Sequence, residues 1–540
     1  EGAMKTDPKK SDPSDSTSSE PEVSLGASQQ NEPEEQADNE NSEHPVAWLT
    51  NRFPRVAEKY GLPLHITNND RAITIKDINE DFFAACLTDL GTPDAPVIFT
   101  QGAFYHYSEE TGIFELINAG KVETMIGEIM RGCADACDNG GMNDVSPLRF
   151  KYTKKSVLSS IRDRVAAIAE QPDDYFEETS DFIIFENGVL ELETEKLVDF
   201  SPKYRSRNRI PFPFDPKAKC DLFHNKLLGE ALDEDQIELL QKVCGLVLLG
   251  INKAEKVLLI LGTAGGGKSK MLEVISTLIG HNNIRELRTQ HLQKQFEIAA
   301  YRGKTWLIGS DVKPDFLMRD GASTIKALTG GDMLTGEVKN GGHINIKGIF
   351  NVAISSNSFL TVHLEQDAQA WERRLLVLKY AKPKTNNPDP DLARKILENE
   401  AAGVLRWMYE GYKKLREDNF KISLNERLTR DRNDILHASS APELFVRDFL
   451  EEKNGASMTK EVVRKLYHEY CKERGWPKGN ARSFPGRIEA EIENLFGISV
   501  SNNVHPELGT GDQRGWHGIR IKGADAKDPF FSVLSKYSTQ

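Results

Sequence analysis

The sequence predicts an α/β fold for the central part of this 540-residue chain. Three observations predict it. Apolar runs typical of buried strands recur along the chain at 257–261, 305–310, 349–356 and 375–378. A helical stretch, Met271 to Ile279, follows the first run. A glycine-rich turn joins that strand to that helix.

The glycine-rich turn has the order and spacing of a P-loop. It comprises Gly262, Thr263, Ala264, Gly265, Gly266, Gly267, Lys268 and Ser269. Glycines let the backbone N–H groups point at phosphate oxygens, and a helix N-terminus completes the concavity. Lys268 is then expected on the β- and γ-phosphates of ATP, and Ser269 on Mg²⁺. A chance glycine-rich turn is the competing interpretation, and the strand before it and the helix after it argue against chance.

Two later strands end at polar residues. The run 305–310 ends at Asp311, and the run 349–356 ends at Asn357. A carboxylate at that edge is expected to hold Mg²⁺, directly or through water. The amide of Asn357 is expected to position water beside the γ-phosphate. An ordinary turn or cap residue is the alternative for Asp311.

A hairpin is predicted between these strands, because Asn340-Gly341 separates two alternating segments. The turn places Lys339 at the tip, with His343 and Lys347 on the face of the returning strand opposite its isoleucines. Basic residues on a rigid ribbon are suited to a phosphate backbone. A solvated hairpin with incidental lysines is the alternative.

Arg373 and Arg374 precede the fourth run. The pair suggests an arginine finger that reaches the nucleotide of a neighbouring subunit, which contributes a factor of about 10³–10⁵ in rate. The sequence leaves open which of the two points at phosphate. A surface ion pair is the alternative.

The charge of the chain is unevenly distributed. The net charge is −13, of which the first 45 residues carry −9, and these residues include almost no large apolar side chains. We expect them to be disordered.

No run of eighteen apolar residues and no secretory signal is present, so we expect a cytoplasmic protein without a membrane span. The six cysteines lack metal-site spacing and are expected to be free thiols.

Patterning divides the chain into seven parts, and no constellation of a primase polymerase site is visible in the second. They are an acidic tail (1–45), an α+β N-terminal domain (46–215), a helical collar (216–250), the ATPase core (251–382), a helical segment (383–440), a winged-helix-like domain (441–523) and a C-terminal tail (524–540).

The winged-helix-like domain is predicted from two helices, Glu443–Leu450 and Lys460–Cys471, and a late strand near Ile519. Between them lies a basic stretch interleaved with Trp476 and Phe484, and such modules place a helix in the major groove. Its cations are Lys472, Arg474, Lys478, Arg482 and Arg487, of which the last three are the expected DNA contacts. A small packing domain with a solvated basic face is the alternative.

Taken in order, GTAGGGKS, the strand ending at Asp311, KALTGGD with its hairpin, ISSN and the ERR run resemble a superfamily 3 helicase. More narrowly, they resemble the helicase portion of phage and plasmid primase-helicases, of the satellite-phage and poxvirus type. Residues 181–192 (DFIIFENGVLEL) and 400–411 (EAAGVLRWMYEG) resemble the segments that flank that helicase.

The resemblance implies an AAA+-like core that forms a hexameric ring, hydrolyses ATP and moves on single-stranded DNA, generally 3′ to 5′. It makes Lys268 and Ser269 the nucleotide and Mg²⁺ contacts, and Asp311 the Walker B acid. Asn357 becomes the sensor, Lys339 and His343 the DNA hairpin, and Arg373 or Arg374 the finger. Two residues depart from the family pattern: Asp311 stands where Glu is common, and Lys270 replaces Ser or Thr.

The expected function is therefore an ATP-dependent replicative helicase of a phage, plasmid or other mobile element. Its expected partners are single-stranded and forked DNA, duplex DNA at an origin, further copies of the chain, and a primase or replication partner at the N-terminal region. The alternative is an origin-binding initiator ATPase that does not itself unwind.

Overall fold

The computed structural model describes residues 46–69, 72–140, 142–176, 181–262, 265–289, 291–292, 294–310, 312, 321–338, 342–357, 368–381, 389–473, 484–504 and 513–522. The predicted acidic tail (1–45) and C-terminal tail (524–540) lie outside these residues. No helix in the described part of the chain combines the length and the apolarity needed to cross a bilayer.

The N-terminal region mixes helices with two small antiparallel sheets. Its elements are α1 (Ala47–Arg52), α2 (Pro54–Tyr60), β1 (Leu64–Asn69), β2 (Ala72–Ile78), α3 (Glu80–Ala85), β3 (Val97–Thr100), β4 (Ala103–Ser108), β5 (Ile113–Ile117), α4 (Ala119–Asn139) and α5 (Lys155–Ile168). Strands β3 and β4 pair across Gln101 and Gly102, both with positive φ. This region therefore contains both helices and strands, as the sequence prediction of an α+β domain states.

A hairpin and a helix lead into the central sheet: β6 (Phe182–Phe185), β7 (Gly188–Glu191), β8 (Lys196–Val198) and α6 (Glu234–Leu249). Strands β6 and β7 form a hairpin whose turn is Glu186-Asn187, because Gly188 pairs with Phe185. The predicted helical collar contains Leu222–Leu228, a short π-helix, and α6. It is interrupted before Asp233, which starts α6 with a capping box.

Five parallel strands form the central sheet. The elements of this part are β9 (Val257–Gly262), α7 (Lys268–Ile279), β10 (Ile284–Glu286), α8 (Gln295–Ala299), β11 (Trp306–Gly309), α9 (Gly321–Thr329), β12 (Met333–Glu337), β13 (His343–Lys347), β14 (Asn351–Ser356), α10 (Ala368–Arg374) and β15 (Leu375–Tyr380). The strand order is β10-β11-β14-β9-β15, and each neighbouring pair is parallel. The predicted α/β fold is confirmed.

Both faces of the sheet are buried, which explains why its strands read as continuous apolar runs. In β9, Leu258 and Ile260 belong to one core, with α6, α7 and the β6–β7 hairpin. Val257, Leu259 and Leu261 belong to a second core, with α9, α10 and the β12–β13 hairpin. Because successive strand side chains point to opposite faces, one apolar run supplies both cores.

Three helices follow the sheet: α11 (Leu392–Asn399), α12 (Ala401–Glu417) and α13 (Glu426–Phe449). Helix α12 packs against α6 at an unusually short distance, because glycines face the crossing. A Cβ on Gly245 would lie 2.3 Å from the Tyr412 backbone nitrogen, and one on Gly411 would lie 2.0 Å from the Gln241 carbonyl oxygen. Only glycine fits at these two positions.

The C-terminal module has the order helix, strand, two helices and two strands. It starts with the end of α13 and continues with β16 (Leu450–Thr459), α14 (Lys460–Glu473), α15 (Phe484–Phe496), β17 (Ser501–Val504) and β18 (Gln513–Ile521). The strands form an antiparallel sheet in the order β16-β18-β17. The boundary predicted between 440 and 441 falls inside α13. Helix α15 and strand β16 have no counterpart in the sequence prediction.

Replacing Gly411 with Ala should destabilise the chain by about 1–3 kcal/mol, because the added methyl group forces α6 and α12 apart. Thermal unfolding followed by circular dichroism measures the effect. Gly486→Ala is the matched control, since no atom lies within 4 Å of the new Cβ in α15. An unchanged melting temperature for Gly411→Ala would contradict the close crossing.

Candidate nucleotide site

The glycine-rich turn leaves the carboxyl end of β9 and enters α7. Gly262, Gly265 and Gly267 have φ values of +151°, +82° and +96°, which side chains other than glycine rarely adopt. Gly267 is also the N-cap residue of α7. The backbone N–H groups at this helix end therefore have no helical partner and can bind an anion. Thr263 and Ala264 lie outside the described residues.

Lys268 is directed back over the turn. Its side chain is buried, at 5% exposure. The ammonium group donates to the carbonyl oxygen of Gly262 at 2.5 Å and to Oδ1 of Asn357 at 3.0 Å. Ser269 lies next along the first turn of α7 and is exposed. The structure therefore brings Lys268 and Asn357 into contact, and their roles toward a nucleotide stay a prediction.

Asn357 reaches Lys268 because β14 lies beside β9 in the sheet, and parallel strands end at the same edge. On its other side β14 pairs with β11. Asp311 lies outside the described residues. The next residue, Val312, is held at the end of β14: its N–H donates to the Ser355 carbonyl oxygen at 3.1 Å, and its carbonyl oxygen accepts from the Ser356 hydroxyl at 3.1 Å.

Strand β15 borders the glycine-rich turn, a contact that the sequence prediction did not include. Tyr380 pairs with Gly262, and a Cβ on Gly262 would lie 2.7 Å from the Tyr380 Cβ. The neighbouring Lys379 binds Asp431 at 2.7 Å and Asp434 at 2.8 Å, both on α13. Burial opposes the charge of Lys379, and these two bonds more than offset it, so the pKa of Lys379 is raised. Local sequence patterns do not predict this contact, because it depends on the pairing of two strands more than a hundred residues apart.

The two arginines differ sharply in exposure. The Arg373 side chain is 63% exposed, and the Arg374 side chain is 9% exposed. Both guanidinium groups approach Glu255, at 3.4 Å and 3.7 Å, beside the start of β9. The length of β9, about 16 Å at 3.3 Å per residue, separates that end from Gly262. An arginine side chain is too short to reach the Lys268 end of its own sheet from there.

The hairpin strands β12 and β13 pair as predicted, with Glu337 opposite His343 and Met333 opposite Lys347. Ile344 and Ile346 are buried, while His343 and Lys347 are exposed. The hairpin packs on α8, where a Cβ on Gly336 would lie 2.6 Å from the Ala299 backbone nitrogen. Lys339 lies outside the described residues. His343 lies toward the tip of the ribbon, and Lys347 lies at its base.

One basic residue of the C-terminal module makes a contact within the protein. Arg487 is half-buried, and its guanidinium donates to the Ser439 carbonyl oxygen in the turn of α13 that precedes Pro442. Burial lowers the pKa of Arg487. Arg487 therefore joins α15 to α13, and its expected contact with DNA stays a prediction. Lys478 and Arg482 lie outside the described residues.

The six cysteines are free thiols, as predicted. Burial raises the pKa of Cys86 and Cys244, which keeps both protonated. Within the described ranges, no group of three or more His, Cys, Asp or Glu side chains is arranged to hold a metal ion. The carboxylate expected on Mg²⁺, Asp311, is not part of those ranges.

Two family profiles match parts of the chain. Residues 93–232 match a family described as D5 N terminal like, and residues 260–374 match a family of unknown function, DUF5906. The first match supports the resemblance to phage-type primase-helicases that residues 181–192 indicate. The second covers the glycine-rich turn, both hairpin strands and the two arginines. A search of curated protein sequences finds no match.

Among solved structures, the chain is similar to the apo structure of the NrS-1 C terminal region (305–718), at 14% identity and a TM-score of 0.43. That match covers 82% of this chain and 100% of the other. An A form apo structure of the same region matches at 14% identity and a TM-score of 0.42, covering 79% and 97%. At such scores the folds agree only in part, and the site of this chain is defined by its own contacts.

Replacing Arg487 with Ala should destabilise the C-terminal module by about 2 kcal/mol, because a bond from a charged donor is lost and Ser439 is left without it. Hydrogen exchange of the α13 amides after Ile435 should speed up. Lys472→Ala, on an exposed side chain of α14, serves as the control. If Arg487→Ala left this exchange unchanged and only weakened DNA binding, the assignment of a structural role would be wrong.

Proposed function

We propose that this chain is an ATP-dependent replicative DNA helicase of the superfamily 3 type, from a phage, plasmid or other mobile element. The contact of Lys268 with Gly262 and Asn357 carries the proposal. It joins a glycine-rich turn, a lysine and a polar amide at the edge where parallel strands end, which is where such folds bind ligands. The five-stranded sheet is then the AAA+-like core.

The residues present fit a nucleoside triphosphate. Three glycines with positive φ leave the backbone N–H groups free to face phosphate oxygens, and Lys268 is positioned to replace its carbonyl and amide partners with the β- and γ-phosphates. Ser269 and Asp311 would hold Mg²⁺. ATP supplies the phosphoryl group that is transferred to water, and Mg²⁺ neutralises charge on its oxygens. Asn357 orients the water from the end of β14.

Arg373 is the better candidate for the finger. Its side chain is exposed, whereas Arg374 is buried against α10 and Glu255. Because both lie at the edge opposite Lys268, either must act on the nucleotide of another copy. Copies then stack head to tail, and a heterologous interface of this kind forms a ring when the rotation between successive copies closes. We propose a hexameric ring on this basis and on the family resemblance.

Lys268→Ala should reduce ATP hydrolysis, stimulated by single-stranded DNA, by roughly 100-fold or more, the loss that follows removal of one charge-stabilising donor. Phosphate release measures it. Lys270→Ala is the matched control, because Lys270 lies two residues along α7 and pairs with Glu273 at 3.3 Å on the exposed side. Full turnover in Lys268→Ala would refute the ATPase assignment.

A mixing experiment tests whether Arg373 acts between subunits. Arg373→Ala alone should lose a factor of about 10³–10⁵ in hydrolysis. When it is mixed in equal amounts with Lys268→Ala, random assembly gives intact Lys268 and intact Arg373 at about a quarter of the interfaces. Hydrolysis should return to about that fraction of the wild-type rate. A mixture as inactive as its two components would place Arg373 outside the site.

The hairpin is the proposed contact to the translocating strand. The exposed His343 and Lys347 line one face of β13, and the sequence predicts Lys339 at the tip of the same hairpin. The C-terminal module has the element order of a winged helix and is proposed to bind duplex DNA at the origin. The site of action is then the cytoplasm of a prokaryotic host.

The competing function, an origin-binding ATPase that does not unwind, predicts a different phenotype for the hairpin. Under the helicase proposal, Lys339→Ala abolishes strand displacement on a forked substrate and leaves basal ATP hydrolysis intact. Lys347→Ala, at the base of the same ribbon, has the smaller effect. Tight sequence-specific duplex binding with no strand displacement by the wild-type chain would favour the initiator instead.

A further inference from the structure

A short turn in the N-terminal region exposes a phenylalanine between cations. The π-helix Pro147–Lys151 is anchored by Leu148, which is fully buried, and by Tyr152, which follows it and is buried as well. Between these anchors Phe150 is 72% exposed. Its neighbours Arg149 and Lys151 are also exposed. A large aromatic ring held in solvent by a fixed turn is available as a stacking surface.

The cations around Phe150 are arranged for a polyanion. Lys151, Lys154 and Lys155 are exposed, and no acidic residue occurs between Arg149 and Lys155. Across the described part of the chain, neither Lys154 nor Lys155 has a carboxylate or hydrogen-bond partner for its ammonium group. The Lys151 ammonium bonds to the Tyr152 hydroxyl at 3.0 Å, which raises the pKa of Lys151 and keeps it charged.

A second exposed aromatic side chain lies beside this turn. Trp48 is 39% exposed and packs over Gly132 of α4, while the Arg52 guanidinium lies 5.3 Å from its ring centroid. Arg149 binds Asp135, one helical turn further along α4, at 2.8 Å. Gly132 and Asp135 lie on the same face of that helix, about 4.5 Å apart along its axis. Trp48 and the turn therefore border one stretch of surface.

We propose that this stretch, the Trp48–Phe150 surface, binds single-stranded nucleic acid. Its members are Trp48, Arg52, Phe150, Lys151, Lys154 and Lys155. The lysines neutralise the phosphate backbone, and the two rings stack on bases, a combination typical of single-strand binding without sequence preference. Bases in a duplex are stacked on each other and cannot use the rings. An acidic protein segment would use the lysines but leave the rings in solvent.

The surface lies in the N-terminal region and shares no residue with the β12–β13 hairpin or with the Lys268 site. The surface would give the proposed helicase a second contact with the single strand. The inference rests on the proposed function only in taking the bound polymer to be DNA. Binding is therefore measured without ATP, in the full chain carrying Lys268→Ala. A failure of the ATPase assignment leaves this measurement unaffected.

The probe is a fluorescently labelled oligothymidylate, titrated at several salt concentrations. Phe150→Ala should weaken binding about tenfold, the loss expected when one stacked base loses its platform. The double variant Lys154→Ala/Lys155→Ala should reduce the slope of log affinity against log salt by about 1.4, since each phosphate contact to a single strand contributes about 0.7. Two control variants carry changes elsewhere: Leu116→Ala removes another largely exposed apolar side chain, and Lys217→Ala/Lys219→Ala removes two exposed lysines. Both should bind as the parent does.

Photo-cross-linking supplies an independent readout. An oligonucleotide carrying 5-iododeoxyuridine should form adducts with Trp48 or with Phe150, since stacked aromatic rings are the reactive partners. Wild-type affinity in Phe150→Ala overturns the proposal, whatever the lysine variants do. Adducts confined to the hairpin or to the C-terminal module overturn it as well, and would leave the surface as a site for a protein partner.

Discussion

The bonds of the Lys268 ammonium to Gly262 and Asn357 are the interaction on which the rest of the site depends. A buried cation is costly unless oxygen atoms surround it, so this position keeps a lysine only if the fold provides such oxygens. They come from the ends of two strands that are neighbours in the sheet but about a hundred residues apart in sequence. The parallel pairing of β9 with β14 is therefore the constraint that creates the site.

The same parallel arrangement separates the groups that the proposed hydrolysis needs. Lys268 and Asn357 lie where the strands end, and Arg373 lies where they begin, next to Glu255. Helix α13 contacts both ends: Asp431 and Asp434 bind Lys379 beside the turn, and Arg432 binds Glu372 at 2.9 Å beside Arg373. It then continues into the C-terminal module, where Arg487 holds it. One helix thus joins the proposed nucleotide edge, the proposed subunit interface and the proposed DNA-binding module.

Much of the central fold could be predicted from sequence, because buried parallel strands read as apolar runs and the turn between β9 and α7 is rich in glycine. The placement of Asn357 followed from the position of its strand end. The contact of Tyr380 with the turn and the inward direction of Arg487 could not be predicted, since both depend on pairings between distant segments. The exposure of Phe150 could not be predicted either, because the amino-acid composition of the short π-helix Pro147–Lys151 does not indicate which of its side chains face solvent.

Imaging single particles of the chain with a non-hydrolysable ATP analogue and forked DNA shows whether two copies share each nucleotide. We expect a closed ring in which each analogue contacts Lys268 of one copy and Arg373 of the next. Particles that bind the analogue as single subunits, with no second copy near Lys268, would contradict a site shared between neighbours.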